Sequence, residues 1–292
     1  MNDRNQEIKA LIDLLDDPDE DVFKHVEERL ISLGEEAMHP LEKGWERSLR
    51  TEVQARIESI IRRIQFNSIR KEFKHWYDSD RENLLYGAFL LARVQYPDLD
   101  YQTMNQKIED FTSEIWLELN NHLTALEKIK VINYFLYSVH RFSKSARQSM
   151  SPQLFLINHV LDTHRGSAEL IGLIYVEIAR RLEIPVFGVN LPHHFLLCYH
   201  DPAYLEDPDG VLFYINPHNR GNVLGRNELE YFLNQQNMEP MPEHFVPCDN
   251  LTIIKRIMEI LKYTFFKSGH QDKIEFLDEL SDVIRGSRDQ AL

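Results

Sequence analysis

Apolar residues recur every three to four positions through the first half of the chain, the period of an amphipathic helix. Ile8, Leu11, Ile12 and Leu15 form the first stripe, which Asp16-Asp17-Pro18-Asp19 stops, because proline cannot extend a helix and aspartate favours a cap. A second helix is predicted from Glu20, with Val22, Val26, Leu30 and Leu33 on one side and Gly34 at its end. A third begins near Glu35, and another carries Val53, Ile57, Ile60, Ile61 and Ile64. Short paired helices joined by an Asp-Pro turn read as one HEAT-like unit. The pattern continues through Leu84, Leu85, Phe89, Leu90 and Val94, breaks at Tyr96-Pro97-Asp98, and resumes over Met104, Ile108, Phe111, Ile115 and Leu119. Residues 126–139 read as a buried helix, and 140–152 as a polar loop.

The period changes after residue 153. A turn at Asp162-Thr163-His164-Arg165-Gly166 precedes a helix with Leu170, Ile174, Ile178 and Leu182 at four-residue spacing, ended by Pro185. Three runs rich in β-branched and aromatic residues follow, at 186–191, 194–199 and 211–215, and read as strands. Asp207-Pro208-Asp209-Gly210 lies in the connection before the third. Asn227 with Glu230 predicts a capping box for a helix through Asn234, and residues 251–284 predict a helical hairpin broken at Ser268-Gly269. Helices segregated from a small antiparallel sheet give an α+β fold. The expected regions are a helical, HEAT-like 1–68, a mixed domain at 69–240, and the hairpin at 241–292.

Composition narrows the classes. The 292 residues are 43% hydrophobic and 27% charged, ordinary for a core-forming protein, and the net charge is -14. Nucleic acid and anionic membrane surfaces carry the same sign, so neither is an expected partner. Arg62, Arg63, Arg70 and Lys71 read as a solvated helix face. The first residues are polar, and no apolar run approaches a bilayer span of roughly 20 residues; the expected location is the cytoplasm. Cys198 and Cys248 form no Cys-x-x-Cys pair, no phosphate-binding glycine loop occurs, and the histidines lack metal-ligand spacing. No cofactor and no metal are expected. Trp45, Trp76 and Trp116 sit on helical patterns and are expected in the core.

The motifs with chemical content lie between 158 and 221. Asn158-His159-Val160-Leu161-Asp162-Thr163-His164-Arg165-Gly166 opens the series, and Ile174 to Leu182 and Ile184 to Pro192 continue it. His193-His194-Phe195-Leu196 and Tyr214-Ile215-Asn216-Pro217-His218-Asn219-Arg220-Gly221 complete it. Together they resemble the transglutaminase-like core of the bacterial SirB family over residues 80 to 235, with a papain-like fold implied. The resemblance implies a cysteine at the start of the helix, where the dipole lowers a thiol pKa. It also implies a histidine base on the next strand and an Asp or Asn on the strand after that to orient it.

Carried onto this chain, the nucleophile position falls on Ala168, the base on His194 and the orienting residue on Asn216. Alanine has no nucleophilic atom, and many members of the resembled family also lack this cysteine. Ser167 is a substitute nucleophile on one reading and an N-cap on the other. Cys198, four residues after His194, is about 13 Å along a strand and reads as a small core residue. His193 and His194 would point to opposite faces of a strand. Glu169 complements the helix dipole.

The expected function is a noncatalytic transglutaminase-like protein whose cleft and helical flanks bind a protein or peptide. Two alternatives stand beside it. One is a residual hydrolase or acyltransferase using Ser167, His194 and Asn216; the other is a regulatory scaffold using the N-terminal helices.

Overall fold

The computed structural model describes residues 2–144, 151–201, 203 and 209–289. The chain divides into two compact units, residues 1–74 and 75–292. The boundary lies within one long helix, some residues after the expected position at 68, and the C-terminal hairpin belongs to the second unit.

The first unit is helical, with α1 at Asn2–Asp13, α2 at Glu20–Leu33, α3 at Glu35–Arg47 and α4 at Thr51–Ser79, which continues past the boundary. Its core takes Ile8, Leu15, Val26, Leu30, Val53, Ile57, Ile60 and Ile64 from the apolar period and adds Ala37 and Leu41 of α3, while Leu11, Ile12, Val22, Leu33 and Ile61 pack against it partly buried. Asp19 caps α2, accepting from the Asp21 N–H at 2.9 Å, and Gly34 ends it with φ 61°. Trp45 is not core: it is 39% exposed and donates to Glu58 at 2.8 Å. Arg63 pairs with Glu27 at 3.2 Å, as expected of a solvated face.

The second unit starts from Trp76, fully buried, whose indole donates to the Asn83 carbonyl at 2.9 Å. α5 (Leu84–Arg93) is buried on nearly all sides; α6 (Tyr101–Trp116) and α7 (Ala125–Asn133) are amphipathic. Two expectations fail here. Trp116 ends α6 at 66% exposure, and Leu126, Tyr134 and Val139 are also exposed. The run 126–139 is not one buried helix, because α7 gives way to a π-helical turn at Tyr134–Val139. That turn and the end of α7 hold the segment after β5 in place: Tyr137 donates to the Pro217 carbonyl at 3.0 Å, and Asn133 to the Gly221 carbonyl at 2.8 Å.

Residues 145–150 of the expected loop, and 204–208 of the connection before the third strand, lie outside the described residues. A parallel two-residue pair, β1 (Ser143–Lys144) with β2 (Arg165–Gly166), flanks α8 (Ile157–Thr163). Then comes α9 (Ala168–Arg181), and a four-stranded antiparallel sheet in the order β3 (Val186–Leu191), β4 (His194–His200), β5 (Val211–Asn216), β6 (Asn222–Leu224). β6 is too short for alternation to reveal. α10 (Arg226–Gln235) comes next, but its cap is not Asn227 with Glu230. Gly225 precedes the helix, and the Glu228 carboxylate reaches back to the Gly225 N–H at 2.7 Å.

The sheet has two differently covered faces. Leu196, Cys198 and Tyr214 lie with Leu229 and Leu233 of α10 and with Phe245. Phe195 and Leu197, by strand alternation, point the other way, where α9 lies close. A Cβ on Gly172 would stand 2.6 Å from the Phe195 ring, so only glycine allows this approach. α11 (Asn250–Ser268) packs on α5, α9 and β3, and α12 (Gln271–Asp289) packs on α11.

Candidate functional site

The start of α9 carries two constraints. Ser167 is its N-cap, with its Oγ accepting from the Leu170 N–H at 3.3 Å. The Ser167 N–H donates to the Leu154 carbonyl at 3.2 Å. The next two N–H groups, of Ala168 and Glu169, lie in the first turn, where no carbonyl four residues earlier belongs to the helix. They have no partner among the described residues.

Both residues line a cavity of about 650 Å³, a volume usual for small ligands. Ser167, Ala168, His193, His194, Asn216 and Phe232 line it, with Arg256 at one wall. His194 and Asn216 share a sheet face. Cys198 pairs with Tyr214, both point toward α10, and alternation carries that face to His194 and Asn216. Asn216 follows the Leu197–Ile215 pair, so it stands beside Leu196 rather than opposite His194. Its Oδ1 accepts from the His218 and Asn219 N–H groups at 3.0 and 3.1 Å, capping the turn that Tyr137 and Asn133 hold. No hydrogen bond joins Asn216 or Ser167 to His194 among the described residues.

His194 is partly buried, with its ring edge-on to Phe232 at 4.8 Å. Burial lowers its pKa first, Arg256 and His193 lower it further, and Glu169 opposes them. Its surroundings thus favour the neutral imidazole. His193 is not on a strand. Leu191 pairs with His194 across a two-residue turn, and His193 occupies the left-handed region with φ 59°. That geometry, rather than opposite strand faces, separates the two rings, although both line the cavity.

Glu169 does more than complement a dipole. It is buried and accepts from Arg256 Nε at 2.9 Å. Arg256 also donates to the Leu191 carbonyl at 2.7 Å and to Asn190 at 2.8 Å. The site thus includes a residue from α11, a helix that the local pattern assigns to a separate hairpin. Only its neighbours in space, not in sequence, mark it.

Neither cysteine approaches this chemistry. Cys198 is fully buried in the core between the sheet and α10, and burial pushes its thiol up to about 12. Cys248 is likewise pushed up to about 12 by burial. Among the described residues no group of three His, Cys, Asp or Glu side chains could hold a metal ion. No helix among them is long and apolar enough to cross a membrane.

A family model described as the transglutaminase-like superfamily matches residues 102–259, more than half of the chain. The chain belongs to the transglutaminase-like superfamily. Its matched span runs from α6 to α11 and includes both Ala168 and Arg256. Among curated relatives, a UPF0162 protein of Xylella fastidiosa is 26% identical over 67% of this chain and 69% of its own length. The UPF0162 protein YchA of Escherichia coli is 24% identical over 67% and 71%. Protein SirB1 of Salmonella typhimurium is 25% identical over 64% and 68%. No solved structure gives a significant match.

The atoms of this transglutaminase-like site set what it can do. Two N–H donors at the positive end of a helix suit a carbonyl or carboxylate oxygen. A neutral imidazole offers one donor and one acceptor, and Phe232 supplies an apolar wall. At the helix start stand a methyl group and a serine whose oxygen serves its own helix.

Proposed function

We propose that this protein is a noncatalytic transglutaminase-like binder, whose cleft holds a peptide segment of a protein partner. The observation that carries the reading is Ala168. It stands at the first residue of α9 and lines the same cavity as His194, where it offers no group for a base to deprotonate. The same cavity retains what a bound peptide needs: the Ala168 and Glu169 N–H groups for a backbone carbonyl, His194 for a second polar contact, and Phe232 for a side chain. On this reading Ala168, His194 and Asn216 are the remnants of a triad, and Asn216 now serves the turn it caps. The helical, HEAT-like flank supplies further contact area. Two free thiols, Cys198 and Cys248, fit a cytoplasmic protein.

The competing reading is acyl transfer or hydrolysis through Ser167, which lines the same cavity. The engaged Oγ argues against it, since a nucleophile must turn toward its base. The test is a peptide-display selection on the full chain, followed by binding to an Ala168→Trp variant that fills the cavity. Selected peptides should bind the natural chain and lose affinity for the filled one. Equal binding to both would overturn the reading. So would turnover of an ester or amide substrate that vanishes in Ser167→Ala.

A further inference from the structure

The first unit holds a second cavity, of about 570 Å³, bounded by α1, α3 and the start of α4. Its charge runs against that of the chain. Lys9, Lys43, Arg47 and Arg50 line it with Asp13 and Asp16, in a protein of net charge -14. Arg50 is committed to Asp16 in an ion pair. Lys9, Lys43 and Arg47 make no ion pair or hydrogen bond among the described residues, and Asp13 is the one acid there left open.

That concentration is specific to this place. Elsewhere in the unit Arg4 pairs with Glu36, Arg29 with Glu7, Arg56 with Glu20 and Arg63 with Glu27. Arg62, Arg70 and Lys74 also have partners. Among the described lysines and arginines of the unit, only Lys24 and Lys71 join the cavity trio in having none. Arg47 is not spent on the end of its helix either. The Gly44 carbonyl already accepts from the Ser48 N–H at 3.0 Å, and Gln54 donates to the Trp45 and Ser48 carbonyls at 3.3 and 3.0 Å. Lys43 and Arg47 are one turn apart on α3, a spacing at which like charges repel.

Beneath the cations lies apolar surface. Ile12, Val53 and Ile57 line the cavity, and α1 meets α3 at Gly44, where a Cβ would stand 2.9 Å from Ile12. A rim of three uncommitted cations over an aliphatic floor suits a ligand with a doubly charged head and a small apolar body.

We propose that this cavity binds a small phosphorylated molecule, its phosphoryl group held by Lys9, Lys43 and Arg47 and its body on Ile12 and Ile57. The inference is independent of the cleft at Ala168. The probe is phenyl phosphate, titrated into the full chain by calorimetry, with inorganic phosphate and phenol as separate arms. Methyl resonances of Ile12, Val53 and Ile57 report the location.

Phenyl phosphate should bind saturably and more tightly than inorganic phosphate, shift those methyls, and weaken as salt rises. The double variant Lys43→Gln/Arg47→Gln, surface changes that spare the core, should weaken binding by about tenfold or more. Lys24→Gln/Lys71→Gln should leave it unchanged. Binding that ignores the Lys43/Arg47 change, or that leaves the three methyls unmoved, overturns the proposal. So does an absence of binding by both phosphate probes, including the case in which only an acidic peptide binds.

Discussion

Arg256 and Glu169 form a buried ion pair, Nε to Oε1 at 2.9 Å, between helices 87 residues apart in the chain. Their side chains are only 16% and 10% exposed. Because Arg256 also holds the Leu191 carbonyl, one guanidinium joins the first turn of α9, the end of β3 and the middle of α11. Of these, α9 and α11 line the cavity at Ala168, and β3 leads through a two-residue turn to His194, which lines it too.

Breaking that pair should cost more than removing it. Arg256→Met leaves the Glu169 carboxylate buried and unpaired, a loss of about 3 kcal/mol. Glu169→Met/Arg256→Met, which removes both charges, should recover much of it. Urea unfolding of the single and double variants measures both. A single variant as stable as the natural chain would show that water reaches Glu169.

His194 should titrate below its ordinary value of 6.5, chiefly because burial opposes its charged form. Its folded pKa is depressed, so between the folded and unfolded values the unfolded chain binds more protons. His194 is then neutral in both states above about pH 6.5 and makes no demand there. As pH falls through the unfolded value the folded state loses stability, until the folded pKa is passed. Imidazole resonances followed by NMR test the shift, and Arg256→Gln should move it partway back up. A titration at or above 6.5 in the natural chain would contradict the burial argument.

Ala168→Cys tests the proposed nucleophile position. A thiol there would lie beside the first N–H groups of α9, which favour thiolate and lower the pKa from a free value of about 8.5. Cys198 and Cys248, pushed up to about 12 by burial, should stay silent. Iodoacetamide at mildly acidic pH should therefore label residue 168 alone, as read by peptide mapping. Burial lowers the His194 pKa and so disfavours the imidazolium that would stabilise a thiolate, and His194→Ala should slow labelling only modestly. If residue 168 labels no faster than an ordinary exposed thiol, the carried-over triad position is wrong.

Gly172→Ala should push α9 off the sheet. Its added methyl would meet the Phe195 ring at 2.6 Å, and overpacking of this kind costs about 1–3 kcal/mol. Gly172→Ala/Phe195→Leu should restore part of the loss. Denaturation midpoints measure the pair. Full stability of the single variant would mean that the ring can swing aside.

Local pattern settled much of this architecture. The stripe through Ile8, Leu15, Val26 and Leu30 is the core of the first unit because a helix buries one face, and that face repeats with the helical period. The runs at 186–191, 194–199 and 211–215 read as strands because β-branched and aromatic side chains fit a pleated, buried surface, and they form β3, β4 and β5. The order of motifs from Asn158 to Gly221 placed Ser167, Ala168, His194 and Asn216, and these do line one cavity. Where local and distant forces disagree, the pattern misleads: the run 126–139 looks like a buried helix, yet its second half becomes a π turn gripping residues 217–221.

The sequence by itself therefore determined most of the helices and the three longer strands, and that a methyl group stands at the start of α9. The tertiary structure decided what those residues touch. Arg256 joins the site only because α11 folds back onto α9 and β3. His194 titrates below an ordinary imidazole because its surroundings remove water and place a guanidinium nearby. Asn216 caps its own turn because Tyr137 and Asn133 hold that turn in place. Secondary structure follows from forces between near neighbours, which the order of residues contains. Desolvation and ion pairing depend on distances across space, and those exist only once the chain has closed on itself.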